Sequence, residues 1–115
     1  MKMKARFMIC EVGDVVVVPF PFTDRTTTKR RPALVLSRKA FNSSGHTVFA
    51  MITSTRKTRW PGDVAIPAGE AGLTADSCVR LKLFTIENTF ILRKLGSLGQ
   101  ALRGAVEQSL RQELL

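Results

Sequence analysis

The hydrophobic residues of this chain fall into short runs separated by polar segments rich in glycine, proline and basic residues, a pattern typical of β-strands joined by loops. The first run, residues 15–18, is made of valine, whose branched side chain packs well on a pleated sheet. A second run at 33–36 follows a polar and cationic loop at 23–31. We predict Pro32 to be the first residue of the second strand, because proline lacks the backbone donor that an interior position uses.

Four more strands are predicted downstream, with turns at the glycine-containing segments between them. Alternation in the run at 77–83 places Cys78 and Arg80 on one face, and Val79 and Leu81 on the other. A short helical turn is expected to begin at Thr85. The predicted strands cover residues 46–52, 63–66, 77–83 and 90–95, with turns at 42–45 and 68–72 and a second polar and basic loop at 53–62.

The end of the chain has a helical period. Leu102, Val106, Leu110 and Leu114 recur at every fourth position, which predicts an amphipathic helix packed on the sheet. The sequence from Ser97 to Gln100 matches a capping box. These elements predict a mostly β fold, a small antiparallel barrel with a C-terminal amphipathic helix, in a single domain over residues 1–115 with a flexible basic arm at 1–8.

Charge narrows the choice of partner. Eighteen Lys and Arg residues against nine Asp and Glu residues give a net charge of +9. Such an excess favours an anionic partner, either nucleic acid, an acidic protein or a membrane surface, although it also fits a solvated basic surface. The apolar runs are too short for a transmembrane helix or a signal peptide, so no membrane association is expected. Cys10 and Cys78 form no zinc motif or disulfide framework and are predicted to be buried free thiols, which suits the cytoplasm.

The candidate chemistry lies in arginines and hydroxyls, because the sequence offers no carboxylate pair, metal-ligand cluster or histidine pair. RNA can be cut without a metal or cofactor when its own 2′-hydroxyl attacks the adjacent phosphate, and a guanidinium group suits the charged phosphate oxygens. The residues alone favour a surface position at a strand end for Arg31 and a simple strand-forming role for Thr53. His46, the one imidazole, follows a turn and is assigned no catalytic role.

The stretch GDVVVVPFPF, the basic loop and KRRPALVLS resemble the MazF/PemK family of toxin ribonucleases, as do Ile52-Thr53 and residues 76–82. The resemblance covers residues 12–98. It implies an SH3-like barrel that forms a homodimer. It further implies a sequence-selective, metal-independent endoribonuclease that cuts single-stranded RNA to 2′,3′-cyclic phosphate and 5′-hydroxyl ends, and a cognate antitoxin with an acidic tail.

The resemblance carries over Arg31 and Thr53 as the catalytic pair. On a strand, neighbouring side chains point to opposite faces, so only Arg31 or Arg30 can face the site, and the Arg-Pro match selects Arg31. Trp60 is expected either to stack on a base or to pack at a core edge or interface. The predicted RNA-binding residues are Arg25, Lys29, Arg30, Ser54, Arg56, Trp60, Arg80 and Lys82.

Two other functions fit the same fold. A CcdB-like toxin shares the barrel but acts on a protein target such as gyrase, and fold alone does not decide function. A basic nucleic-acid-binding module without catalysis would bind RNA with strong salt dependence and release no fragments. The combination of Arg-Pro and Ile-Thr favours the nuclease.

Overall fold

A curled antiparallel sheet accounts for most of the structure, a computed structural model that describes residues 8–20, 29–54 and 58–115. Within these residues the sheet has six strands in the order β4-β5-β3-β2-β1-β6. Helix α1 lies between β2 and β3, and helix α2 follows β6. The bounds are β1 Asp14–Phe20, β2 Lys29–Val35, α1 Lys39–Asn42, β3 His46–Ser54, β4 Val64–Ile66, β5 Ser77–Glu87, β6 Arg93–Ser97 and α2 Gln100–Glu113, with 3₁₀ turns at Glu70–Gly72 and Asn88–Phe90. The predicted mostly β fold with a C-terminal helix is confirmed.

Both faces of the sheet are buried, which explains why the valine run of β1 does not alternate with polar residues. Val15 belongs to a first core that packs against α2 through Val106. Val16 and Val18 belong to a second core on the opposite face, which is covered by Cys10 and Ile91. Strands buried on both sides read as continuous apolar runs.

The prediction for Pro32 is wrong. Strand β2 begins at Lys29, so Lys29, Arg30 and Arg31 lie on a strand instead of in the loop, and Pro32 is an interior residue opposite Val17. Pairing of β2 with β3 is recorded only from Ala33 onward. Pro32 therefore lies where one side of its strand is unpaired, a position that tolerates the missing N–H.

Strand β5 is longer than predicted. Thr85 lies inside it instead of starting a helical turn, because β3 pairs with β5 as far as His46 opposite Glu87. The register shifts between Ala50 and Met51. Because β5 is longer than predicted, the 3₁₀ turn lies at Asn88–Phe90 and β6 begins at Arg93, both later in the chain than predicted. Cross-strand pairing overrides the local preference here.

The capping-box prediction is also wrong. Helix α2 begins at Gln100 with Gly99 as its N-cap, and no side chain caps it. Ser97 is instead the last residue of β6, and its hydroxyl donates to Asp14 Oδ1 at 2.8 Å. The helical period holds as far as Leu110, whereas Leu114 is half exposed at the C-cap.

The 3₁₀ turn Glu70–Gly72 brings the chain from edge strand β4 across to edge strand β6. A Cβ atom on Gly72 would lie 2.3 Å from the carbonyl oxygen of Leu95, and one on Gly96 would lie 2.7 Å from the carbonyl carbon of Ala71. Ala71 itself has a positive φ of 54°. Backbone therefore packs directly on backbone at this point, which only glycine permits.

Gly72→Ala should destabilise the fold through this close approach. Gly69→Ala is the matched control, because Gly69 also has a positive φ, of 93°, but has no atom within 4 Å of an added Cβ. We expect Gly72→Ala to lower the free energy of unfolding by about 1–3 kcal/mol more than Gly69→Ala, the usual cost of overpacking. Urea unfolding measures both, and equal losses would contradict the packing argument.

Gly104→Ala should stabilise the protein. Gly104 lies inside α2, and nothing stands within 4 Å of an added Cβ. Replacing glycine by alanine in a helix interior gains about 1 kcal/mol in the free energy of unfolding. The same urea titration tests this, and an unchanged or lower value would show that the helix needs the glycine.

Candidate functional site

Arg31 and Thr53 lie on neighbouring strands at the end of the β2–β3 ladder. The recorded pairing ends at Ala33 and Met51, which both pack in the second core. Arg31 and Thr53 are each two residues farther along, so alternation places them on that same face where the strands are no longer paired. Arg31 is half-buried and Thr53 is only 8% exposed.

The outer partners of these two residues fix their position from both sides. Arg31 is opposite Val18 of β1, and Thr53 is opposite Cys78 of β5. Arg30, opposite Pro19, is exposed and points to the other face by alternation. The arrangement fits the prediction that only one of the two adjacent arginines faces the same side as Thr53.

Lys29 and Ser54 extend the polar end of the sheet. Lys29 is the exposed first residue of β2, and Ser54 is the exposed last residue of β3, opposite Ser77. Arg25 and Arg56, two further predicted RNA contacts, lie outside the described residues. His46 begins β3 and is therefore about 20 Å of strand away from Thr53.

Arg80 is already paired inside the protein, unlike an arginine whose guanidinium group is open to a phosphate. It is only 9% exposed and makes a two-point ion pair with Asp63, from Nε to Oδ1 at 3.2 Å and from Nη2 to Oδ2 at 2.8 Å. Nη2 also donates to the carbonyl oxygen of Thr58 at 2.8 Å. The hydrogen bonds that Arg80 donates to the Asp63 carboxylate raise the pKa of Arg80 above its ordinary value, so the guanidinium group stays charged.

Trp60 lies near two cations and remains 41% exposed. The guanidinium carbon of Arg80 is 5.4 Å from the ring centroid, and the Nζ atom of Lys82 is 5.7 Å from it. Both distances are within the range of cation–π attraction. The ring is thus held at the surface next to the exposed Lys82 and is not packed into a core.

Asp63 accepts a third hydrogen bond, from the backbone N–H of Trp60 to Oδ2 at 3.0 Å. Burial alone raises the pKa of this carboxyl, but the hydrogen bonds from Arg80 and Trp60, with the positive charge of Arg80, outweigh burial and hold the pKa below its ordinary value. The carboxylate is therefore ionised at neutral pH.

Comparison with known proteins shows the family to which this chain belongs. Residues 11–114 match the family of PemK-like, MazF-like toxins of type II toxin–antitoxin systems. The chain belongs to this family. A comparison with curated proteins gave no match.

Solved structures of related toxins share the fold of this toxin. MazF from Deinococcus radiodurans is 24% identical with a TM-score of 0.74, covering 93% of this chain and 97% of that chain. The Mycobacterium tuberculosis toxin MazF-mt6 is 23% identical with a TM-score of 0.70, covering 86% and 93%. An endoribonuclease in complex with its cognate antitoxin, from a mycobacterial species, is 18% identical with a TM-score of 0.70, covering 90% and 91%.

A cavity and two buried thiols are further features of the described part of the toxin. A cavity of about 660 Å³ opens between α2 and the start of β1, and none of the predicted site residues that the structure describes lines it. Both cysteines are buried free thiols, as predicted. Burial, with the charge of Asp14, raises the pKa of Cys10 to about 11, and burial likewise raises that of Cys78. Thiols in this state are poor nucleophiles at neutral pH.

Two features are absent from the described part of the toxin. No group of three or more histidine, cysteine or acidic side chains is placed there to hold a metal ion. In the same residues, no helix combines the length and apolar character needed to cross a membrane.

Asp63 is the residue that sequence reasoning missed. A signal was present, since Asp63 is the one carboxylate between Asp24 and Glu70, in a stretch rich in arginine and lysine. An isolated acid among many bases is a candidate ion-pair partner. Which base it pairs with depends on the pairing of β4 with β5, which the local pattern does not specify.

Acid should remove the stability that the Asp63 carboxylate supplies. Because the folded pKa lies below the unfolded value of about 4, the contribution is complete above that pH and is lost as the pH falls through the folded value. Asp63→Asn should lower the free energy of unfolding by about 3–5 kcal/mol at neutral pH, since it leaves Arg80 buried without its partner. The difference between wild type and variant should narrow under acid conditions, as followed by urea unfolding across a pH series.

The exposed pair between Arg111 and Glu107 provides the control. Their side chains are 68% and 65% exposed. Glu107→Gln should therefore cost less than about 1 kcal/mol. A constant gap between wild type and Asp63→Asn at all pH values would contradict the argument.

Proposed function

We propose that this toxin is a sequence-selective, metal-independent endoribonuclease that cuts single-stranded RNA to 2′,3′-cyclic phosphate and 5′-hydroxyl ends. The observation that carries the proposal is the register of β2 and β3, from which alternation places Arg31 and Thr53 on one face at the open end of the ladder. The family match to PemK-like and MazF-like toxins supports it as well.

Arg31 supplies the charge that the reaction needs. As the 2′-oxygen attacks, a fifth oxygen bonds to phosphorus and negative charge builds on the non-bridging oxygens. The guanidinium group of Arg31 donates two hydrogen bonds to those oxygens in a fixed fork. Such donors stabilise the transition state most when they are already in place, as on a paired strand.

Thr53 holds the scissile phosphate through its hydroxyl group. Its burial and its pairing opposite Cys78 restrict its rotation, so little freedom is lost when RNA binds. The proton of the 2′-hydroxyl leaves to solvent and the departing 5′-oxygen gains one from solvent. His46 takes no part, since it is at the far end of β3.

Exposed cations around this pair provide the RNA-binding surface. Lys29 on β2 and Lys82 on β5 are exposed and basic, and Arg30 is exposed at the same strand end on the opposite face. With Ser54 they follow the backbone phosphates, while single-stranded bases remain open to be read. Arg25 and Arg56 are assigned to the same surface on the sequence alone.

The partner of this toxin is a cognate antitoxin with an acidic tail, and the active form is a homodimer in the cytoplasm. A MazE–MazF complex from Deinococcus radiodurans is among the similar structures, 24% identical with a TM-score of 0.72. The net charge of +9 favours fast, salt-dependent association with an acidic segment. That segment occupies the same surface as RNA.

RNA cleavage with a metal chelator present tests the nuclease. Arg31→Ala and Thr53→Ala should each lower kcat by about a hundredfold or more, the usual cost of losing a transition-state donor. The 5′ ends of the fragments are mapped to identify the end chemistry and the recognised sequence. Arg111→Ala is the matched control, because Arg111 is an exposed arginine on α2, and it should cut at the wild-type rate.

Intact RNA after incubation of a mixed cellular pool with wild-type toxin would overturn the proposal. Salt-sensitive binding without fragments would then indicate a binding module, and no RNA binding would indicate a toxin with a protein target. Cleavage that survives both substitutions would move the catalytic site elsewhere.

A further inference from the structure

The Asp63–Arg80 pair fixes a segment of backbone as well as two side chains. Arg80 donates to the carbonyl oxygen of Thr58, and Asp63 accepts from the N–H of Trp60. The N–H of Asp63 donates back to the carbonyl oxygen of Trp60 at 3.1 Å. One ion pair thus holds both ends of the segment from Thr58 to Asp63, and Trp60 lies within it.

Arg80 has little capacity left for RNA. Two of its three nitrogens are used by Asp63, one of them also by Thr58, and the residue is 9% exposed. Moving the guanidinium group to a phosphate would leave the Asp63 carboxylate buried and unpaired, a costly state. The geometry makes Arg80 an internal support, although its residue type suggested a direct RNA contact.

Trp60 is the exposed residue of the segment that this ion pair holds in place. Arg80 and Lys82 both lie within cation–π range of its ring, yet 41% of the residue remains accessible. Aromatic rings presented beside cations are what bases stack on, because every base has a π-face and every linkage has a phosphate. Lys82, exposed at 5.7 Å from the ring, is the cation available to that phosphate.

Trp60 and its neighbour Arg80 lie next to the candidate catalytic pair, Arg31 and Thr53. Arg80 is two residues along β5 from Cys78, which is paired with Thr53, and Arg80 itself is paired with Met51. Thr53 and Arg80 are therefore diagonal neighbours on one face, a separation of roughly 7–8 Å between such positions. A nucleotide adjacent to a phosphate at Thr53 can reach the ring of Trp60.

We propose that Asp63 is a positioning residue for RNA: by pairing with Arg80 it holds Trp60 as a stacking platform for a base next to the phosphate at Thr53. The proposal rests on the proposed function for the identity of the ligand. It assigns a role to Asp63, which never touches RNA, and it removes Arg80 from the residues that do.

The test is a cycle of binding measurements on the full chain. The probe is short single-stranded RNA of mixed sequence with 2′-O-methyl riboses, which lacks the attacking hydroxyl and stays intact. Trp60 is the one tryptophan of the chain, so its fluorescence reports the platform directly. RNA should quench it in the wild type, and Trp60→Leu and Asp63→Asn should each weaken binding by about tenfold, the loss expected for one stacked base.

The decisive arm is the double variant Trp60→Leu/Asp63→Asn. If Asp63 acts through Trp60, the second change costs no further affinity once the ring is gone. A loss in the double variant equal to the product of the two single losses would overturn the proposal. So would wild-type affinity and quenching in Asp63→Asn. Glu107→Gln, which removes a carboxylate from an exposed pair on α2, should bind as wild type does.

A second variant keeps the test valid if Asp63→Asn does not fold. Asp63→Leu/Arg80→Met replaces both charges with apolar side chains, an exchange that buried ion pairs often tolerate. It should retain the circular dichroism of the fold and still lose about tenfold in RNA affinity. Wild-type affinity in this variant would overturn the proposal.

Failure of this inference and failure of the nuclease are distinguishable. Binding is measured on RNA that no variant can cut, and Arg31→Ala should retain Trp60 quenching. Quenching that depends on Asp63, without cleavage of ordinary RNA, would support the platform and overturn the nuclease. Cleavage of ordinary RNA without such quenching would support the nuclease and overturn the stacking platform.

Discussion

Coverage of both faces of the sheet is the constraint from which the other features follow. Val15 and Val16 are adjacent, fully buried and in different cores. Helix α2 covers one face, and the segment containing Cys10, with Ile91, covers the other. A polar side chain on such a sheet must either find a buried hydrogen-bond partner, as Thr47 does in Asn88, or lie where coverage ends. The ends of β2 and β3, which carry Arg31 and Thr53, are such places.

In this arrangement the buried, paired strands supply the rigid backbone from which the candidate catalytic side chains project. The ladders that pair Arg31 with Val18 and Thr53 with Cys78 continue directly into buried apolar residues. A side chain on such a ladder is oriented before a ligand arrives, so less entropy is lost on binding. The segment from Thr58 to Asp63 has no ladder of its own and is held by the ion pair with Arg80 and by a hydrogen bond from the Ser109 hydroxyl to the carbonyl oxygen of Gly62.

Sequence patterns predicted the elements that local composition determines. The valine run, the period of α2 and the two buried thiols were evident because each depends on residues close in the chain. The length of β5 and the interior position of Pro32 depend on which strands pair and where pairing ends. Arg80 and Asp63 are 17 residues apart, and only the pairing of β4 with β5 brings them together.

The Asp63–Arg80 ion pair is better explained by its effect on the position of Trp60 than by a contribution to the stability of the fold. Replacing a buried pair with apolar side chains is often neutral or stabilising, so stability alone gives little reason for burying Asp63 and Arg80. An apolar pair, however, would accept no hydrogen bond from the N–H of Trp60 and donate none to the carbonyl oxygen of Thr58. What the charges add is a defined path for the backbone that carries Trp60. In a chain with twice as many bases as acids, an acid in this stretch is informative because its proposed part in RNA binding is indirect, through the position of Trp60, and involves no contact with RNA.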